Sequence, residues 1–292
     1  GISRRHQVQP DPHITLRSKY PNHVHQMDFS LAVNWKMFQG KPTYDHWVYH
    51  KKVLAAGVPR LFRILIVDHA SGAYFPWYVE STGETVKATL EALYRAWARK
   101  TLRGQSVEHL YPFRGVPQIV MADRGSANQA QITEDVLKRL GVRLIIAQQA
   151  RAKGSVEVSH NNWEMKFESR MRYQRPENVE QLNEWALDWA IKHCAEEKHT
   201  RTLMPRSVHW AWRMKQLSDA PLRELNCDFE TFRYIAVNEP VEARVRGDKT
   251  IQFKGKVYRL PAEVDIYSRV LVTYSAFDFP NIFVRTKEEP NA

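Results

Sequence analysis

The chain has 292 residues, 43% of them hydrophobic, which is too long for one minimal domain and rich enough for a sizeable core. No apolar run is long enough to cross a bilayer, no signal-peptide pattern opens the chain, and two cysteines, Cys194 and Cys227, exclude a disulfide framework or a four-thiolate zinc site. A formal net charge of +11 predicts attraction to polyanions, nucleic acid above all, in a reducing cytoplasmic setting.

Residues 1–20 read as an extended basic arm: Pro10 and Pro12 break it, and Arg4, Arg5, Arg17 and Lys19 outnumber Asp11. "VHQMDFSLAV" then alternates, with Met27, Phe29 and Leu31 on one face and Gln26, Asp28 and Ser30 on the other, the period of a strand. A second strand, "LFRILIVD", ends on Asp68, and "HASG" turns it into a third, "AYFPWYVE". Pro76 there predicts an irregularity or a sheet edge. Asp68 sits in a tight-turn context and reads as structural. Val86, Leu90, Leu93 and Trp97 recur at helical spacing, with Thr82 as the expected cap.

The strand "PQIVMAD" runs into the turn "RGSANQ", and Asp123 stands between them. Asp is a poor strand residue, so it is either a turn cap or a ligand at the mouth of a sheet. A helix near "ITEDVLKRL", a fifth strand "VRLIIAQ" and a long helical pattern from about Ser155 to Tyr173 follow. The predicted order is three strands, helix, strand, helix, strand, helix. Residues 176–227 read as all-helical, with Trp185, Trp189, Trp210 and Trp212 filling a small core. Residues 228–286 alternate, with turn signals at Gly247-Asp248 and Lys254-Gly255, and predict a small β-barrel of roughly five strands before a tail at 287–292.

If the first and fourth strands are neighbours, Asp28 and Asp123 converge. The helix after the fifth strand offers Glu157, Glu164 and Glu168, of which Glu157, in the first turn, is nearest the strand ends. Three carboxylates repel one another and become tolerable around cations, and hard oxygen donors select Mg²⁺ or Mn²⁺. Singly, each has a bland explanation: Glu157 is also a helix-start acid favoured by the macrodipole. Glu164 and Glu168, farther along, are expected to pair with surface Lys or Arg.

"QMDFS", "MADRGSAN" and "AKGSVE", in this order, resemble the DDE transposases of the retroviral-integrase superfamily. The resemblance implies an RNase H-like α/β fold, a mixed five-stranded sheet flanked by helices, over residues 21–175. It assigns Asp28, Asp123 and Glu157 as catalytic and metal-holding residues for two Mg²⁺ or Mn²⁺ ions. Asp123 and Glu157 stand 34 positions apart, close to the spacing of many members. "KHTRTLMPRSVHWAW" is similar to the helical segment after the core in bacterial members, and "IQFKGKVYRLP" to the C-terminal barrel of Mu-type transposases. Arg124 stands where most relatives have Asn, and "VSHNNWE" replaces their basic run. No end-recognition domain is evident, so the expectation is a chain that starts after one.

What the resemblance implies is a DNA transposase that nicks transposon ends and joins the freed 3′ hydroxyl to target DNA. It also implies a multimer on double-stranded DNA, possibly a tetramer, DNA-associated in the cytoplasm, with no membrane partner and with an ATPase that selects targets. Expected DNA contacts are Arg124, Arg151, Lys153, His160, Lys166, Arg170 and Arg172. The alternatives are a metal-dependent nuclease or resolvase on the same core, and a catalytically silent DNA-binding assembly protein.

Overall fold

The computed structural model describes residues 18–32, 34–44, 59–123, 125, 130–147, 154–217 and 222–287, leaving out the side chains of 154–158 and 172. Its centre is a mixed five-stranded sheet. β1 (Val24–Leu31) lies in the middle, because it pairs antiparallel with β4 (Arg60–Asp68) and parallel with β8 (Ile119–Ala122). β5 (Tyr74–Ser81) adds to β4 antiparallel and β9 (Arg143–Ile146) to β8 parallel, giving the order β5-β4-β1-β8-β9. The strand order read from the sequence holds. Pro76 lies on the edge strand β5, where a missing N–H costs least.

Two short hairpins were not legible in the sequence: β2 (Trp35–Phe38) with β3 (Lys41–Tyr44), and β6 (Thr101–Leu102) with β7 (Gln105–Ser106). Both are too short for an alternating pattern to stand out, and Trp35 is nevertheless almost wholly buried.

Helices cover both faces of the sheet. α1 (Val86–Trp97) presents Leu90, Leu93 and Trp97 to the core, and its cap is Thr85, which accepts from the Ala88 N–H, rather than Thr82. Trp97 reaches His25, on the β1 face opposite Asp28. α2 (Gln131–Arg139) leads into β9. α3 (Gly154–Lys166) covers the other face, packing on β1 and β4. The expected continuous helix to Tyr173 breaks here: after α3 comes a separate 3₁₀ turn, Glu168–Arg172. Trp163, Phe167, Glu168 and Met171 are all buried across this break.

α4 (Val179–Glu196) packs along β5, and its Asn183 side chain both accepts from the Tyr78 N–H (2.7 Å) and donates to the Tyr78 carbonyl (2.9 Å). An amide thus occupies the hydrogen-bonding groups of an edge strand. Trp189 sits edge-on to Trp163 and stacks on His193, so the tryptophans of this stretch join the core beneath the sheet instead of forming one of their own. Trp210 of α5 (Arg206–Lys215) is buried, whereas Trp212 is 46% exposed.

The chain then returns to the sheet. Arg223 donates to the carbonyls of Pro117, Leu140 and Gly141, and the Glu239 N–H donates to the buried Asp135 of α2. α6 (Phe229–Ile235) packs Phe229 and Phe232 on Tyr94. Beyond it lie a three-stranded antiparallel sheet, β10 (Val241–Arg244), β13 (Arg269–Thr273) and β14 (Phe283–Thr286), and a hairpin of β11 (Thr250–Phe253) and β12 (Lys256–Arg259). The predicted strands and turns are present, but among the described residues no ladder closes them into a barrel.

Candidate active site

The register of β1 on β8 pairs Val24 with Ile119, His25 with Val120 and Gln26 with Met121. The paired register ends there; carried two residues past the last pair, it would bring Asp28 level with Asp123, the first residue after β8. Neighbours in parallel register point to the same face, so the continued register carries both side chains to one side of the sheet. Both are part-exposed.

Asp123 is also a turn residue: its Oδ1 accepts from the Gly125 N–H at 3.1 Å. The turn role read from the sequence is therefore observed. The turn brings in a carboxylate that sequence reasoning missed. A Cβ placed on Gly125 would lie 1.9 Å from Glu84 Oε2 and 3.1 Å from Asp123 Oδ1, so Glu84, from the loop before α1, reaches over this turn. Nothing in "STGETV" marks Glu84 as more than a loop acid, and only the tertiary fold brings it here.

Below Asp28 the face is filled by a buried polar chain. Arg63 of β4 is opposite Ser30 of β1, which puts its guanidinium diagonally next to Asp28 on the same face. Its side chain is fully buried. Nε and Nη2 donate to His160 Nδ1 at 3.0 and 2.9 Å, Nη2 to Glu164 at 2.7 Å, and Nη1 to Glu168. Glu168 in turn accepts from the Tyr78 hydroxyl (2.6 Å), which accepts from Trp163 Nε1 (2.6 Å). Burial works against the Arg63 charge, but Glu168 and Glu164 beside it keep its pKa above the ordinary arginine value. Glu164 and Glu168 do pair with a cation as expected, but inside the protein and not at its surface.

His160 was expected among the DNA contacts. It is 7% exposed, and its second ring nitrogen, Nε2, lies 3.0 Å from Asp28 Oδ2, a close charge contact bent away from a straight hydrogen bond. Burial, and then the nearby Arg63, hold its pKa below the usual 6.5 against the opposing pull of Asp28. It faces inward.

Position 157 is one helical turn before His160 on α3, the helix that packs on β1 and β4, while its side chain lies outside the described residues. Among the described residues no three His, Cys, Asp or Glu side chains form a metal-holding group. Arg124, Arg151 and Lys153 are outside the described residues, and so is the side chain of Arg172. Lys166 is exposed, 3.8 Å from Glu197, and Arg170 lines an open groove with Arg103, Tyr173, Trp185 and Lys192. Asp68, in contrast, is fully buried and spent on its own turn, as its sequence context suggested.

Residues 43–172 match the family model of the TnsB C-terminal domain. The matched stretch runs from β3 through the 3₁₀ turn, contains Asp123 and Glu157, begins after Asp28, and covers less than half of the chain. It is a partial likeness to that transposase family. No curated protein matches the chain. Among solved structures, a simian T-cell lymphotropic virus intasome in complex with PP2A regulatory subunit B56 gamma is similar at 14% identity and a TM-score of 0.47, over 94% of this chain and 80% of that one. The HTLV-2 integrase catalytic core domain in complex with magnesium (15% identity, TM-score 0.42) aligns over 66% of this chain and 99% of its own. The BIV integrase catalytic core domain (14% identity, TM-score 0.42) aligns over 68% and 99%. All three scores lie below 0.5, too low to carry weight. No helix among the described residues is long and apolar enough to cross a membrane.

Proposed function

We propose that the chain is a polynucleotidyl transferase that nicks the ends of a mobile DNA element and joins the freed 3′ hydroxyl to a target strand, with Asp28, Asp123 and Glu157 as its catalytic carboxylates. The observation that supports this reading is the parallel β1–β8 register, which, continued past its last pair, would bring Asp28 level with Asp123, with position 157 on the helix that packs on β1 and β4. Two part-exposed carboxylates side by side repel each other, so the donor set fits hard divalent cations and no softer metal. Asp28, Asp123 and Glu157 would hold them. When bound, such ions supply Lewis acidity at a phosphate and lower the pKa of an attacking hydroxyl.

The chain's own contribution is placement. Strand register fixes two carboxylates, the Asp123–Gly125 turn sets the second of them, and α3 brings the third position within one turn of His160. No Ser, Tyr or Cys nucleophile is needed when water and then a DNA 3′ hydroxyl attack the phosphorus. Both free cysteines lie away from this face: Cys194 is buried on α4, its thiol pushed up to about 11 by burial, and Cys227 is in the segment before α6. Arg124, Arg151, Lys153, Lys166, Arg170 and Arg172 are the proposed phosphate contacts. Assembly on DNA as a multimer, a tetramer by resemblance, an ATPase partner, DNA association in the cytoplasm and a Mu-type closed barrel over 228–286 belong to the same proposal, as do the boundaries 21–175 and 176–227.

The test is a joining assay on labelled DNA ends with and without Mg²⁺ or Mn²⁺. Joining should require the ion and fall by roughly 100-fold or more in Asp28→Asn, Asp123→Asn and Glu157→Gln, the loss of several kcal/mol of transition-state stabilisation. DNA affinity should persist, with the steep salt dependence of phosphate contacts. Wild-type joining by any one variant removes that residue from the site. Cutting without joining would leave a nuclease.

A further inference from the structure

Arg63 belongs to this face, yet the proposed chemistry does not use it. A guanidinium with no exposed surface, in the middle of a central strand, is costly unless every donor has a purpose. Two of its donors go to carboxylates, which balance its charge. Two more converge on a single neutral acceptor, His160 Nδ1. Guanidinium nitrogens only donate, so Nδ1 must carry the lone pair and the ring proton must be on Nε2. Nε2 is the atom facing Asp28 Oδ2 at 3.0 Å.

We infer that Arg63 and His160 are positioning residues: Arg63 fixes the tautomer and orientation of His160, and the Nε2 edge of that ring, in close contact with Asp28 Oδ2, confines the Asp28 carboxylate to the rotamer that receives a divalent cation. This rests on the reading of Asp28 as a metal-holding carboxylate. The physical logic is that of groups behind a metal site. A carboxylate on a strand swings freely about its side-chain torsions, and a fixed donor on one oxygen leaves the other presented in one direction. The arrangement is anchored away from solvent. Glu168 is itself fully buried, held by Arg63 and the Tyr78 hydroxyl, and Tyr78 is fixed by Trp163 and by Asn183 of α4. The chain from Asp28 to Asn183 therefore ties the β1 carboxylate to the far edge of the sheet.

Two substitutions at 160 separate this role from simple packing. Asn places an acceptor where Nδ1 was, keeping Arg63 satisfied, but cannot reach Asp28; Gln offers both an acceptor for Arg63 and a donor at the depth of Nε2. Mn²⁺ binding to the intact chain is measured by calorimetry, alongside thermal unfolding. His160→Asn should unfold close to wild type yet bind Mn²⁺ about 10–100-fold more weakly. His160→Gln should recover most of that loss. An Asn variant that folds and binds within about twofold of wild type, while Asp28→Asn does not bind, would overturn the inference and leave the proposed function standing. Mn²⁺ binding by Asp28→Asn at wild-type strength would remove Asp28 from the site, and both readings of it fall. If His160→Asn does not fold, the wild-type ring decides: nitrogen-resolved NMR should find the His160 proton on Nε2, and a proton on Nδ1 would refute the arrangement.

Discussion

Asp68 and Asp123 each end a buried apolar strand, each start a turn containing a glycine, and each accept a backbone N–H two or three residues on. They nevertheless have different surroundings, because strand direction sets them at different levels of β1. β4 runs antiparallel to β1, so Asp68 lies beside His25 at the beginning of β1; β8 runs parallel to it, so Asp123 follows the line of Asp28. At the closed end, Asp68 accepts from the N–H groups of Asn22 and Ser71 and from the Ser71 hydroxyl, and is wholly buried. At the open end, Asp123 and Asp28 stay part-exposed and other acids approach. Strand direction, not local sequence, separates the structural aspartate from the one proposed for the site.

The sharpest break of this comparison is reciprocal substitution. Asp123→Asn should lose joining by roughly two orders of magnitude while its melting temperature stays within a few degrees of wild type. Asp68→Ala should do the reverse. Orphaning the buried N–H groups of Asn22 and Ser71 should cost about 2–4 kcal/mol in denaturant unfolding, with joining per folded molecule retained. An Asp68→Ala protein as stable as wild type would mean that the turn does not need its carboxylate.

pH sharpens the same contrast. Burial raises the Asp68 pKa from 3.8 to about 6, with the hydrogen bonds from Ser71 and Asn22 opposing it. A folded-state pKa above the unfolded one means that the native state binds the proton more tightly between these values. This group's contribution to stability is therefore full below about pH 4 and declines as pH rises to about 6, by roughly 3 kcal/mol at 1.36 kcal/mol per unit. Asp68→Asn should flatten the stability profile in that window. An unchanged slope would place the titration elsewhere.

The smallest effect is expected at Gly125. A methyl group there meets the end of the Glu84 side chain, which can move, so Gly125→Ala should cost about 1 kcal/mol or less. In Glu84→Ala the same substitution should cost still less, because the obstructing oxygen is gone. Equal costs in both backgrounds would mean that Glu84 does not lie over the turn.

Much of the site's framework was legible because it is local or periodic. Alternation marked β1, Pro76 marked an edge, and the carboxylate spacing suggested one meeting point. What was not legible depends on partners far along the chain. In "LFRILIVD" the arginine looks like an interruption in an apolar strand, and nothing nearby says that His160, Glu164 and Glu168 will enclose it. His160 in "SHNNWE" reads as a polar helix residue until the packing of α3 on β1 turns it inward. Glu84 and the break after Lys166 escaped for the same reason, and Trp212 was assigned to a core that its helix turns away from.

The amino-acid sequence by itself determined the five strands of the main sheet and their order along the chain, since side-chain alternation and turn chemistry act within a few residues. Only the tertiary structure decided which aspartate shares a face and an end with Asp28, and which cation lies buried beneath it. Strand direction and the burial of charge are set by contacts between segments up to about a hundred positions apart, and no local pattern encodes them.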